Sequence, residues 1–266
     1  MHDTTPWHQV NVSFPDWNRA EQAAAARISP RLDEEAAAWF FIRKHPCWRI
    51  RYQPARPELR ASTEQQLDNL AAAGHITGWT RVIYEPEVCA FGGPQAMDTA
   101  HRLFHADSRC LLSYLRDQPA GRHRREISLM LCSIMMRAAN QDQFEQGDIW
   151  ARVAGYRKPP PGASPDRPDL LEKVRHLITA DAESWMRPGA PLARHAVWAA
   201  AYAAAGHDLA GLNAAGQLHR GLRDILAHHV IFSWNRAGLP YMTQSVLASA
   251  AKTAVFGPDP AMAETG

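Results

Sequence analysis

"WFFIRKHPCWRIRY" (39–52) decides how the chain is read. It divides at Pro46 into two runs, "AAWFFIRK" and "CWRIRYQ", each aromatic or β-branched on alternate positions. Pro46 falls in the turn, where its missing N–H costs nothing. Yet four of these fourteen residues are Arg or Lys, and charged side chains are rare inside unless paired or used. Alternation puts Arg49 and Arg51 on the face opposite Trp48, Ile50 and Tyr52. Arg43 shares a face with Trp39 and Phe41, so it is the arginine predicted to be buried.

Working outward, "WHQVNVSF" (7–14) alternates as a strand. Asp16 then N-caps an Ala-rich helix. "RPELRASTEQQLDNLAAAG" reads as a helix closed by Gly74, and "GWTRVIYEPEV" as a fourth strand. After "FGGP", whose glycines suit a tight turn needing positive φ, helical periodicity takes over. It covers 95–117, 124–143, 145–155, 168–185, 191–205, 208–232 and 240–255, with a Pro-rich connector at 157–169. The expected class is α+β in one domain spanning 1–266. A strand-rich 7–90 forms a small, mostly antiparallel sheet, packed against a helical 94–256.

The chain has 266 residues, 46% hydrophobic and 21% charged, with nine Trp and a formal net charge of +2. That balance gives no global field for nucleic acid or anionic membrane. Residues 43–60 are locally basic: Arg43, Lys44, Arg49, Arg51, Arg56 and Arg60 face one acid, Glu58. Cys47, Cys89, Cys110 and Cys132 form no CxxC pair, which argues against a zinc site and for reduced thiols in a cytoplasmic protein. "MHDTTPWHQV" has no apolar signal core, and "HAVWAAAYAAAGH" is too short to span a bilayer.

Few stretches suggest chemistry. His101 and His105 in "HRLFH" stand four apart on one helix face, but they lack the Glu of HExxH and a third ligand, so no metal is expected. Ser108 in "ADSR" has no evident base and reads as a cap. The rings of His228 and His229 point to different faces. "GRHRRE" (121–126) reads as a solvated basic helix end. "FSWNR" (232–236) combines an aromatic, a hydroxyl, an amide and a guanidinium at the end of a long apolar helix. It is equally a site or a capped terminus.

"WFFIRK", "WRIRY", "YEPE…FGGP", "AMDTAHRLFHADSR" and "HHVIFSWNRAGL" occur here in that order. Together they resemble the thiopeptide-type bacteriocin biosynthesis proteins, relatives of the C-terminal, glutamate-eliminating domain of lantibiotic dehydratases, over about residues 7–256. The resemblance implies one of two activities on a modified ribosomal precursor peptide. One is glutamate elimination from glutamylated Ser or Thr. The other is the pyridine synthase reaction, a formal [4+2] aza-cycloaddition between two dehydroalanines. Eliminases resemble this chain at Arg43. They carry Arg before the aromatic-Gly-Gly turn, where this chain has Ala90, and His three residues before the Arg of "NR", where it has Ser233. Losing a carboxylate fork and a proton shuttle favours the cycloaddition.

On that reading no cofactor is needed, because ring closure draws mostly on positioning. Arg43, Ser233, Tyr84 and Tyr241 are the implied catalytic groups. Phe91, Trp234, Asn235 and Arg236 would hold the thiazole-bearing core, and Arg49, Arg51, Arg56 and Arg60 an acidic leader. These residues are expected to line one cavity. The alternatives are a stand-alone glutamate eliminase and a non-catalytic leader-binding partner.

Overall fold

The computed structural model describes residues 6–118, 121–159, 168–181, 184, 186–190 and 192–258. Four strands form one antiparallel sheet: β1 (His8–Ser13), β2 (Ala36–Lys44), β3 (Cys47–Pro54) and β4 (Gly78–Val82), in the order β2-β3-β1-β4. The two strands read from "WFFIRKHPCWRIRY" are β2 and β3, paired Trp39↔Tyr52 through Arg43↔Trp48. The fourth strand is shorter than its pattern suggested and stops at Val82.

The helix after β1 is a composite. A 3-10 turn (Trp17–Arg19), capped by Asp16 accepting from the Asn18 N–H, leads into α1 (Ala20–Ala23). A π-helical turn (Ala24–Ile28) follows, then α2 (Ser29–Glu35). With α3 (Leu59–Ala72) it covers one sheet face. Val10, Ile50 and Tyr52 meet Ile28, Leu32 and Leu67 around an apolar gap of only about 20 Å³. Trp39, Phe41 and Trp48 are each 1% exposed, and burying a large apolar side chain contributes about 1.5–3 kcal/mol.

β2 is an edge strand, and open edges invite wrong pairing. The second half of α4 (Pro94–Asp117) closes it. His105 Nδ1 accepts the Trp39 N–H at 3.0 Å, and Ser108 Oγ accepts the Phe41 N–H at 3.3 Å. Two residues three apart on a helix thus serve alternate outward N–H groups of a strand. This explains "HRLFH" and "ADSR". His105 and Ser108 are edge caps, while His101 points to other partners. Desolvation lowers the His105 pKa, which favours the neutral imidazole, and its Nδ1 also lies 3.1 Å from the Trp39 carbonyl oxygen.

The remaining helices are α5 (Arg124–Ala138), α6 (Gln143–Tyr156), α7 (Pro168–Thr179), α8 (Ala196–Ala214), α9 (Leu222–Arg236) and α10 (Tyr241–Phe256). Every residue from Ile127 to Met136 is buried, as expected of a helix apolar all round. The chain resolves into two units with separate internal contacts. The first is Met1–Pro86 with His101–Arg122, and the second is Glu87–Ala100 with His123–Gly266. The second part of α4 thus groups with the sheet rather than with the other helices.

Several helices start or end away from their expected bounds, such as Arg124–Ala138 for 124–143 and Leu222–Arg236 for 208–232, and one of these differences has a packing cause. Gly206 does not end a helix but lies inside α8, against α5. A Cβ there would collide with the Met135 carbonyl oxygen and lie 2.7 Å from the Ala138 Cβ. The break comes instead at Gly216, which has φ +66°. Gly206→Ala is accordingly expected to destabilise by about 1–3 kcal/mol, the usual cost of overpacking. Urea denaturation checks this. A midpoint equal to that of the parent would mean α5 and α8 part without cost.

Candidate active site

In the second unit the site grows from α9. Its sequence "HHVIFSWNR" is buried at His229, Val230, Ile231, Ser233, Trp234 and Arg236. The Phe91–Gly92–Gly93 turn is fastened beside it. Gly92 and Gly93 have φ of +92° and +110°, and a Cβ on Gly92 would collide with Ile225. The Gly92 carbonyl accepts the His219 N–H at 2.9 Å, and the Ala90 carbonyl accepts Arg220 Nη1 at 3.0 Å. Phe91 is fully buried. Its ring meets His228, His229 and Phe232 edge-on at 5.2, 4.9 and 5.0 Å.

Ser233, one helical turn beyond His229, is 4% exposed. Its Oγ lies 2.6 Å from the hydroxyl of Tyr202 on α8, itself completely buried. Trp234 stacks on Trp150 of α6 at 5.9 Å and 18°. Asn235 Oδ1 accepts Gln244 Nε2 at 3.1 Å, and Gln244 Oε1 accepts Arg157 Nε at 2.7 Å. The Arg157 guanidinium sits 5.7 Å over the Tyr241 ring, and burial lowers its pKa. Asn235 and Tyr241 are thereby linked through two intervening side chains. The Tyr241 ring is half exposed, and its hydroxyl donates to the Lys158 carbonyl. Arg236 is fully buried.

Desolvation, with the positive charge of Arg236 and the His228 ring adding to it, pushes the pKa of His229 down to about 3. Its imidazole is neutral at physiological pH.

In the first unit Arg43 has a side chain only 9% exposed. It forms an ion pair with Glu21, with its guanidinium 4.7 Å over the Trp48 ring and 5.6 Å over Phe41. Burial of Arg43 is as the alternation implied. Tyr84 lies elsewhere. Its hydroxyl is 2.8 Å from His101 Nε2, and its ring packs against Trp7 and Phe40. Phe40 and Phe41 are consecutive in β2 and so point to opposite faces. Arg43 and Tyr84 therefore sit on opposite sides of the sheet, and the single cavity expected for them does not form in this unit.

The four arginines expected to hold a leader also separate. Arg49 and Arg51 do turn away from Trp48 and Ile50, but the face they join is covered. Arg51 is 8% exposed, donates Nε to Gln9 Oε1 at 2.8 Å, and lies over the Phe40 and Tyr84 rings at 5.3 and 4.9 Å. It is a core residue, not part of an open groove. Arg49 is half-buried and Arg56 exposed. Arg60 donates to Glu64 at 3.2 Å. Arg81 and Arg60 together hold the Glu64 carboxyl below the usual carboxylate range, Arg81 contributing most.

A cavity of about 710 Å³ lies between α5, α7 and Leu247, and a groove of about 350 Å³ lies beside Arg19 and Arg27. Neither is lined by a residue assigned from the sequence to catalysis, core binding or leader binding. Conversely, Tyr202, His229, Glu21 and His101 contact the singled-out residues without having been assigned to the site. His229 carried a signal, since it stands four residues before Ser233 on one helix face. Tyr202 carried none, being one aromatic in an alanine run.

A small antiparallel sheet with an edge-capping helix, followed by a helical unit built on the "HHVIFSWNR" helix, defines an α+β protein of one recognisable class. The chain belongs to the family described as lantibiotic biosynthesis dehydratase C-term, whose model matches residues 7–255. Among solved structures it is similar to the tRNA-dependent lantibiotic dehydratase MibB from Microbispora sp. 107891. That match has TM-score 0.55 and 18% identity and covers 100% of this chain but 29% of MibB. It is also similar to TsrL, with TM-score 0.62 and 17% identity over 96% of this chain and 99% of TsrL. At these identities the two structures share the fold. No curated protein matches the chain. Among the described residues, no helix is long and apolar enough to cross a membrane.

Proposed function

We propose that the protein catalyses a formal [4+2] aza-cycloaddition on a dehydrated, thiazole-bearing ribosomal peptide. Family membership places it in lantibiotic-type peptide biosynthesis. The observation that carries the finer reading is the Ser233–Tyr202 hydroxyl pair, at the position where eliminases carry a titrating His. Ala90, before the Phe91 turn, supports it, because it offers no side chain to fork a glutamyl carboxylate.

In the reaction, the peptide carbonyl preceding one dehydroalanine goes to its iminol. This gives a C=N–C=C unit that adds across the C=C of the second dehydroalanine. Two C–C bonds form, one between the two β-carbons and one between the iminol carbon and the second α-carbon. Water leaves from the former carbonyl carbon and the leader amide from the second α-carbon, and the ring becomes aromatic. We assign the Tyr202 hydroxyl as donor to Ser233 Oγ, the two oxygens lying 2.6 Å apart, which leaves the Ser233 hydrogen for the substrate oxygen. A hydroxyl held this way can stabilise the iminol and relay a proton without a charged intermediate on the protein. Phe91 is fully buried, and its part in holding a flat azole rests on the family resemblance. The role of Arg43 in stabilising developing negative charge rests on the family resemblance. So do those of Tyr84 and Tyr241 as donors and of Trp234, Asn235 and Arg236 as core-binding groups.

Mass spectrometry of a bis-dehydroalanine, thiazole-bearing precursor before and after incubation tests the proposal. Loss of the leader amide plus water is expected. Glutamate release from a glutamylated peptide without ring closure would replace this reading with elimination. No turnover by the purified chain would leave a peptide-binding role instead.

A further inference from the structure

The first unit contains an unassigned groove of about 350 Å³, formed where β1 runs into the composite helix. Arg19 and Arg27 line it, both are exposed, and neither forms an ion pair among the described residues. Arg19 ends the 3-10 turn and Arg27 lies within the π turn, and both line the same groove, with Gln22 between them in sequence and Ala23 and Ala26 as small apolar lining. Phe14 closes the other wall, and His75 lies at the end. The one acid in the lining, Asp16, is engaged in capping the Asn18 N–H at 2.9 Å.

We propose that this groove binds an extended peptide segment carrying carboxylates and small apolar side chains, the unmodified part of the substrate of the proposed reaction. The inference rests on that reading for the identity of the peptide only. Two solvent-facing forks in a groove with small apolar lining match Glu or Asp side chains spaced along a peptide. They do not match a nucleic acid, whose binding draws on roughly 6–10 phosphate contacts. Among the described residues the groove offers two exposed arginines with no ion pair, whereas among the 49–60 arginines Arg51 is buried against Gln9 and Arg60 is paired with Glu64.

Fluorescence anisotropy with the full chain tests this. The probes are a short labelled peptide rich in Glu and Leu, its Gln-for-Glu counterpart, and a single-stranded RNA of equal length. The Glu peptide is expected to bind most tightly and to weaken with salt. The double variant R19E/R27E should weaken it about tenfold, since each exposed pair contributes modestly and reversal adds repulsion. R19Q/R27Q should give a smaller loss, with circular dichroism matching the parent. The equally charge-reversed K173E, in the second unit, should bind as the parent does. Unchanged affinity in R19E/R27E, equal binding of the Gln peptide, or preference for RNA would each overturn the proposal. Ring formation is read separately by mass spectrometry, so failure here and failure of the cycloaddition reading are distinguishable.

Discussion

Replacing Ser233 by alanine is expected to slow ring closure about a hundredfold, the scale seen when one preorganised donor is removed from a site where charge develops. The structural cost is separate. The change leaves the buried Tyr202 hydroxyl without its 2.6 Å partner, at about 1–3 kcal/mol. The double variant S233A/Y202F removes both polar atoms. It is expected to recover most of that stability while remaining as slow as S233A. Y202F alone keeps the Ser233 hydroxyl but frees its orientation. It should lower kcat with little change in KM, because the lost interaction acts only as the amide oxygen is polarised. Single-turnover mass spectrometry, with thermal melts on the same samples, reads all three. Turnover by S233A within about twofold of the parent, far short of the loss expected for one donor, would remove this residue from the mechanism.

The second large effect is on stability. The His229 pKa is pushed down to about 3 in the fold from the ordinary imidazole value of about 6.5. Below the unfolded value, the unfolded chain binds a proton that the native chain refuses. Stability from this group is therefore intact above about pH 6.5 and falls steadily as pH drops toward the folded value. Between about pH 7.5 and about pH 5 the loss is about 2 kcal/mol, taking 1.36 kcal/mol per pH unit below the unfolded value. In a chain of this size that lowers Tm by about 4–8 °C. His195, His105 and His8 are shifted in the same direction, each mainly by desolvation, and steepen the fall. Comparing His229→Gln with the parent isolates the one group. The variant should start less stable but lose less between the two pH values. Parallel Tm–pH curves would mean that His229 titrates in the fold as it does in water.

Much of the fold was legible because it rests on local rules. Alternation in 39–52 gave β2 and β3, and Gly74, Asp16 and the Phe91–Gly92–Gly93 turn behaved as their backbone chemistry requires. The burial of Arg43 also followed from its place beside Trp39 and Phe41. Gly206 was misleading because an isolated glycine in an alanine run looks like a terminus. Only the neighbouring α5 shows that it is there to let two helices touch. The 49–60 arginines misled for a related reason. The face of a strand can be read from its sequence, but what covers that face cannot.

The sequence by itself therefore determined the order of elements, the two strands of the opening stretch, the family, and the helix that carries Ser233. Tertiary structure decided which polar groups meet. It set Tyr202 against Ser233, Glu21 against Arg43 and Gln9 against Arg51, and it assigned His105 and Ser108 to the edge of β2. Backbone propensity and alternation act over a few residues and are written in neighbouring letters. Burial, pKa and hydrogen-bond partnership are properties of what a side chain is folded against, often tens of residues away.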